Sequence, residues 1–392
     1  MDGRPISDPR KDVGPPMHRV ISAPMISRLA EDVADEACDD YVNPHDSSSR
    51  WYLVARTFAL RQAASLGLGL QHRAAPGAPS TTKTIWLDST IGGSQGEKII
   101  KVDVWIPRSR PQKVPHKRPA VINFHGGGFV LGQGTDDARW AGALMDGLGA
   151  VVFAVNYRLA PAYPFPKPVE DCADAILQIA ARADEFNIDR SRILISGFSA
   201  GGNLALASWV LLEEPERWNY HIKFPKPAIA GICLFYPLLD WTITRPRKRA
   251  RCLRPDMTLP SSLTDLFDAS YIYPPLPPEL RTDCRLSPGL MPDEMLHRLP
   301  PMHLCVCEWD MLLPEALTFA ERLNSAHKSV IVRIVAKEKH AWDKPPPIQP
   351  KESMAIEYAA AIETLRHCLK HAEENNDQTA HFSKLIRANT GT

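Results

Sequence analysis

Apolar residues cluster along this chain in short runs, separated by longer stretches with helical spacing. Residues 84–87 and 98–106 alternate apolar and polar side chains, which predicts a hairpin opening a sheet. Residues 120–124, 150–156, 193–196, 229–236, 302–307 and 330–335 are nearly continuous in Val, Ile, Leu, Ala, Phe and Cys. Runs of that kind are the mark of strands buried on both faces. Between most of them lie helical patterns, at 141–148, 169–183, 203–212 and 314–326, and a last one follows at 354 to about 374. Alternation of strand and helix predicts an α/β fold with a mostly parallel central sheet covered by helices on both faces.

Two regions stand outside that rhythm. Residues 20–70 read as two helical stretches divided near Asn43-Pro44-His45-Asp46, and 74–80 as a Pro/Gly/Ala linker. After Asp240 the chain runs through Arg245-Pro246-Arg247-Lys248-Arg249-Ala250-Arg251 and a proline tract at 273–278 before the strand pattern resumes near Met302. The two regions together predict a helical cap over the carboxyl edge of the sheet, where α/β folds bind ligands. The expected organisation is a disordered leader at 1–18, cap helices and linker at 19–80, and a first core segment at 81–242. A cap insertion at 243–300, a second core segment at 301–375 and a flexible tail at 376–392 complete it. The basic run 245–251 is expected to be a solvated cap loop, with a targeting or acidic-surface patch as the rival reading.

The strongest chemical signal is Gly197-Phe198-Ser199-Ala200-Gly201, directly after one predicted strand and directly before a helical pattern. A nucleophile elbow needs that context, with glycines where a Cβ would crowd the turn. The second signal, His125-Gly126-Gly127-Gly128-Phe129, follows a buried strand upstream of the serine. Bare backbone N–H groups there suit an oxyanion loop, with Gly127, Gly128 and Ala200 as expected donors and His125 and Gly126 shaping the loop. The segment lacks the endings of a phosphate loop or a dinucleotide fingerprint.

With both motifs in this order, the sequence resembles the hormone-sensitive-lipase branch of the α/β-hydrolase family over roughly residues 84–370. A third block, from Tyr157-Arg158-Leu159-Ala160-Pro161 through Val169-Glu170-Asp171, adds to the match. The resemblance implies an α/β-hydrolase fold with a helical cap, a serine nucleophile and esterase activity. The chain departs from the family at Ala162, where an acidic residue is usual, and at Phe198, where Asp or Thr is usual. It also departs at His340-Ala341-Trp342, where His-Gly-Phe is commoner.

A serine hydroxyl needs a base to take its proton and an acid to orient that base, and in this fold the order is Ser, then Asp or Glu, then His. His340 follows the strand at 330–335 and is the expected base. Asp310, in Glu308-Trp309-Asp310-Met311-Leu312-Leu313-Pro314-Glu315, follows the preceding strand and is the expected acid. Asp240, at the end of an earlier strand, and Asp343, close to the histidine, are its rivals. His367 and His371 sit four apart on the last helix, a spacing open to a metal, but without a third ligand they read as a solvated face.

Composition narrows the partners. Lys+Arg 46 against Asp+Glu 45 gives a formal charge of +1, too little to gather nucleic acid. Arg56 and Arg61 interrupt the most apolar stretch, 51–70, so no spanning segment is expected, although transient contact with a lipid surface is open. The first residues, Met1-Asp2-Gly3-Arg4-Pro5, show no secretory pattern. The eight cysteines, Cys38, Cys172, Cys233, Cys252, Cys284, Cys305, Cys307 and Cys368, fit no zinc spacing. Reduced thiols and a cytoplasmic setting are the expectation. No cofactor or metal is called for. The expected function is hydrolysis of a hydrophobic small-molecule ester, acetyl to medium acyl, by Ser199, Asp310 and His340. A lactonase, a lyase or cyclase on the same fold, and a non-catalytic receptor are the alternatives. Oligomeric state is not readable.

Overall fold

The apolar runs become strands of a single eight-stranded sheet in the computed structural model, which describes residues 41–74, 78–92, 98–108, 117–344 and 351–390. The expected leader, the first predicted helical stretch and Cys38 lie outside the described residues. In chain order the structure begins with α1 (Arg50–Ala74), β1 (Lys83–Asp88), β2 (Lys98–Trp105) and β3 (Arg118–Phe124). It continues with α2 (Ala138–Leu148), β4 (Val151–Asn156), α3 (Lys167–Ala181), β5 (Ile188–Phe198), α4 (Ala200–Glu213) and β6 (Ile229–Phe235). An insertion carries α5 (Arg245–Ala250), α6 (Ser261–Tyr271) and α7 (Asp293–Leu296). Then come β7 (Met302–Cys307), α8 (Leu313–Ser325), β8 (Val330–Val335) and α9 (Glu352–Thr390).

The strand order is β1-β2-β4-β3-β5-β6-β7-β8. Antiparallel pairing of β1 with β2 and of β2 with β4 gives way to parallel pairing from β4 onward. The pleat divides the strand side chains between two cores. Ile122, Phe153 and Ile195 face α3, α4 and α8. Val121, Val152 and Leu194, one residue earlier in each strand, face α2 and α9. Helix α4 is buried from Ala200 to Leu212, and its near-uniform apolar composition matches a helix with no solvent face. The parallel strands deliver their carboxyl ends, and the loops that follow them, to one edge.

Helix α9 runs to Thr390, well past the end near Glu374 that its pattern predicts. No Gly or Pro interrupts residues 351–390, and Pro350 and Gly391 bracket the stretch, so nothing in the backbone stops the helix sooner. All seven cysteines among the described residues are buried free thiols.

The basic run 245–251 departs from its expected solvated loop. It forms α5, capped by the Thr244 side chain, and several of its cations turn inward. Arg245 donates to both carboxylate oxygens of Asp268, at 2.8 and 2.7 Å. Arg249 reaches the Thr258 hydroxyl at 3.2 Å and the Leu259 carbonyl at 2.9 Å. Lys248 is 3 % exposed and pairs with Glu315 of α8 while donating to the Asp240 carbonyl. Glu315 in turn accepts from the Leu239 N–H at 2.7 Å. Long aliphatic stems let these residues pass through apolar surface to reach a buried acid. Burial pushes Lys248 down and Glu315 up from their ordinary values.

This pair fastens the insertion to the helix that follows the Asp310 loop. Removing one partner of such a pair leaves a buried charge uncompensated, at a cost of about 3–5 kcal/mol. Lys248→Ala is therefore expected to lower stability by that amount in urea denaturation. Lys248→Met combined with Glu315→Leu is expected to recover most of the loss. Equal stability of the single variant and the wild type would contradict the assignment.

Candidate active site

The turn from β5 into α4 is tight. A Cβ on Gly201 would overlap the carbonyls of Phe124 and His125, and one on Gly197 would overlap the Gly201 carbonyl. Only glycine lets the first turn of α4 seat against the end of β3. Ser199, held between them, adopts φ 52° and ψ −116°. Such a conformation in a non-glycine residue costs about 1–3 kcal/mol and persists where the surroundings enforce it. Here the Ser199 N–H donates to the Phe235 carbonyl at 2.9 Å, pinning the turn to the end of β6.

The side chain of Ser199 meets His340. Its hydroxyl lies 2.8 Å from His340 Nε2, and His340 Nδ1 lies 2.5 Å from Asp310 Oδ2. The other carboxylate oxygen of Asp310 accepts the Leu312 N–H at 3.0 Å. A carboxylate only accepts, so Nδ1–H is the donor to Asp310 and Nε2 is the nitrogen that faces the hydroxyl. Asp310 and His340 are 2 % and 8 % exposed, so little water competes for these contacts. The loops that carry them are joined backbone to backbone, with Glu308 N–H to the Val335 carbonyl at 3.1 Å and Trp309 N–H to the Glu338 carbonyl at 3.0 Å.

Neither rival acid touches the ring. Asp240 accepts from the Thr242 N–H and hydroxyl, at 2.8 and 2.6 Å, and so closes its own turn. Asp343 accepts the hydroxyls of Tyr236 and Tyr358, at 2.5 and 2.7 Å. Burial, then the Asp343 charge, holds both phenols far above their ordinary ionisation, so they remain donors. On α9, His367 is largely exposed and 3.2 Å from Glu363, and no group of three His, Cys, Asp or Glu among the described residues is arranged to hold a metal.

The glycine loop follows β3 on the other side of Ser199. Gly127 and Gly128 have φ 116° and 61° and line the same cavity as Ser199 and Ala200. Ala200 is the first residue of α4, where an N–H has no acceptor within its own helix. His125 stands beneath the loop and is buried, which lowers its proton affinity and leaves it neutral. Its Nδ1–H donates to the Gly126 carbonyl at 2.8 Å, and its ring stacks on Tyr157 at 4.3 Å. The Tyr157 hydroxyl donates to the His125 carbonyl at 2.8 Å.

Above these groups is a cavity of about 300 Å³. Its apolar wall comes from Leu259, Leu263 and Phe267 of the insertion and from Met311 and Leu312 beside the acid. The Phe267 ring lies so close to Gly128 that any Cβ there would overlap it. Helix α1 is anchored to the same edge through Arg61, which donates to the carbonyls of Val130 and Ala160 at 2.8 and 2.7 Å. Sequence reasoning missed Phe267, Tyr236, Asp137 and Lys344. The first sits in a stretch without a motif, Tyr236 and Asp137 meet the site through contacts distant in the chain, and Lys344 joins its own loop to Asp137 and Phe198.

Comparison with known proteins identifies the fold family. Residues 121–344 match a family model described as the α/β-hydrolase fold. An α/β-hydrolase superfamily protein of Schizosaccharomyces pombe is 29 % identical over 55 % of this chain and 61 % of its own length. An arylesterase of Saccharolobus solfataricus is 39 % identical over 57 % of this chain and 67 % of its own length. The chain thus spans about three-fifths to two-thirds of these curated relatives. Among solved structures, EstE1, a thermophilic carboxylesterase cloned from a metagenomic library, superposes with a TM-score of 0.66 at 26 % identity, covering 80 % of this chain and 97 % of that one. No helix among the described residues is long and apolar enough to cross a membrane. The elbow, the glycine loop and the matched stretch coincide, and the chain belongs to the α/β-hydrolase-fold family, in its hormone-sensitive-lipase-like branch.

Proposed function

We propose that this protein is a serine carboxylic-ester hydrolase acting on small hydrophobic esters. The observation that carries the reading is the unbroken line of hydrogen bonds from Ser199 Oγ through His340 to Asp310, beside a mostly apolar cavity. In this reading His340 Nε2 takes the Ser199 proton as Oγ attacks the ester carbonyl. The oxyanion that forms is met by the N–H groups of Gly127, Gly128 and Ala200, with the N-terminal end of α4 adding positive potential. His340 then returns the proton to the departing alkoxide, and water releases the acyl group by the same steps in reverse order. Asp310 keeps the ring in the productive tautomer and stabilises its charged form without taking the proton.

We further propose that α1 and the insertion act as a cap that selects the substrate. The cavity holds about twice the roughly 150 Å³ that a buried apolar site needs to bind benzene. A short or medium acyl chain with a compact alcohol suits that size. A lactone of similar bulk would react by the same chemistry. An elimination would leave the serine without a covalent role, so an acyl group trapped on Ser199 during turnover would separate hydrolysis from it.

Ser199→Ala is expected to abolish both cleavage of p-nitrophenyl butyrate and labelling by a fluorophosphonate; uptake of the probe at the wild-type rate would sink the reading. Asp310→Asn is expected to lower kcat by about 10⁴ with KM little changed, since the acid acts on the ring and not on the substrate. Asp240→Asn should be mild by comparison, and the opposite ranking would place the acid on the wrong strand. The rate should fall as pH is lowered, because a protonated His340 cannot accept from Ser199, and a pH profile flat through that protonation would exclude the base. Esters of short and medium acids should be hydrolysed faster than the palmitate, and a preference for palmitate would contradict the size of the cavity.

A further inference from the structure

In the wall of the cavity stands a cation that the proposed chemistry does not use. Lys344 Nζ is 2.6 Å from Asp137 Oδ1 and 3.2 Å from Asp343 Oδ2, and it stands 3.2 Å from the centroid of the Phe198 ring. The carboxylates of Asp137 and Asp343 are 2 % and 0 % exposed, and the lysine side chain 24 %. Burial alone would lower the lysine, but the two carboxylates outweigh it and hold the ammonium charged.

Each of the three partners belongs to a different part of the site. Asp343 is in the His340 loop and is fixed by Tyr236, whose ring packs edge-on to His340 at 4.8 Å. Lys344 closes that loop itself, its N–H donating to the Ala341 carbonyl at 3.1 Å, where Ala341 has φ 58°. Phe198 is the residue before Ser199 and reports on the elbow. Asp137 leads into α2, and its second oxygen accepts from Asn123 at 2.7 Å, in the strand that ends in the glycine loop. Asn123 also accepts the Ser196 hydroxyl at 2.7 Å, from the strand that ends in the elbow.

We propose that Lys344 is a positioning residue, whose ammonium ties the histidine loop, the elbow and the base of the glycine loop into one register. It touches neither His340 nor Ser199, and so acts on the reaction by fixing the distance between them. The proposal rests on Ser199 and His340 being the reacting pair. Loss of register by a fraction of an ångström at one loop suffices to slow the chemistry, since misplacement of about 1 Å costs on the order of 10²-fold.

The test compares wild type, Lys344→Met and Lys344→Arg on p-nitrophenyl butyrate, with functional sites counted by fluorophosphonate titration and melting followed for each. Methionine keeps the apolar stem and removes the charge. Lys344→Met is expected to lose about 10²-fold in kcat per titrated site with KM within about twofold of wild type. Lys344→Arg, which keeps a cation within reach of both carboxylates, is expected to recover most of that loss. Wild-type kcat per site in Lys344→Met overturns the proposal, because a lysine that only supports the fold would lower the count of sites and not the rate at each. If Lys344→Met does not fold, Lys344→Met with Asp137→Asn removes one buried carboxylate along with the ammonium and carries the same measurement. A Ser199→Ala variant that still hydrolyses the ester would instead refute the underlying reading, with or without any effect at Lys344.

Discussion

The close approach of α4 to the end of β3 is the constraint on which the site depends. With Gly201 against the Phe124 and His125 carbonyls, no side chain fits at that point, and Ser199 is forced to positive φ. The conformation lifts the hydroxyl out of the sheet edge and toward the loop after β8, where the His340 ring waits. It also brings the N-terminus of α4 beside the glycine loop, so Ser199 and the candidate oxyanion donors share one steric origin. Strain in the serine backbone is offset by the packing of a helix with no solvent face.

Around that centre, buried charges join the apolar core in holding the loops. Glu315 and Lys248 join the insertion to the acid's helix, and Arg245 joins α5 to α6 through Asp268. Arg158 and Asp171 join the loop after β4 to α3 in the same manner. In a low-dielectric interior such pairs are directional and intolerant of a lost partner, which suits them to hold loops in register. They add little net stability over a well-packed apolar substitute, so their use at the loop edge is better understood as specification of geometry.

Most of the framework was legible in the chain because its signals are local. Strands buried on both faces need unbroken apolar runs, and an elbow needs small residues at fixed spacing around Ser199. His340 and Asp310 are candidates by their position after strands, since a parallel sheet sends every such loop to one edge. What was not legible arises from pairing between distant segments. Nothing near Lys248 or Arg245 tells that a basic run will fold inward, because their acids lie on α8 and α6. Lys344 is equally silent, with partners at 137, 198 and 343. The end of α9 was misjudged for another reason: the apolar periodicity fades after Glu374, whereas the backbone meets no breaker until Gly391.

The buried cysteines bear on how the protein meets electrophiles. Burial raises every described thiol above its ordinary ionisation, Cys368 to about 11. None of them lines the cavity. A thiol kept protonated and out of reach is a poor nucleophile, whereas the hydroxyl of Ser199 faces both a base and an open space. The thiols among the described residues are therefore closed to soft alkylating agents until the chain opens, whereas the cavity beside Ser199 is open. Alkylation of these seven thiols thus becomes a clock for unfolding, read apart from anything that happens in the cavity.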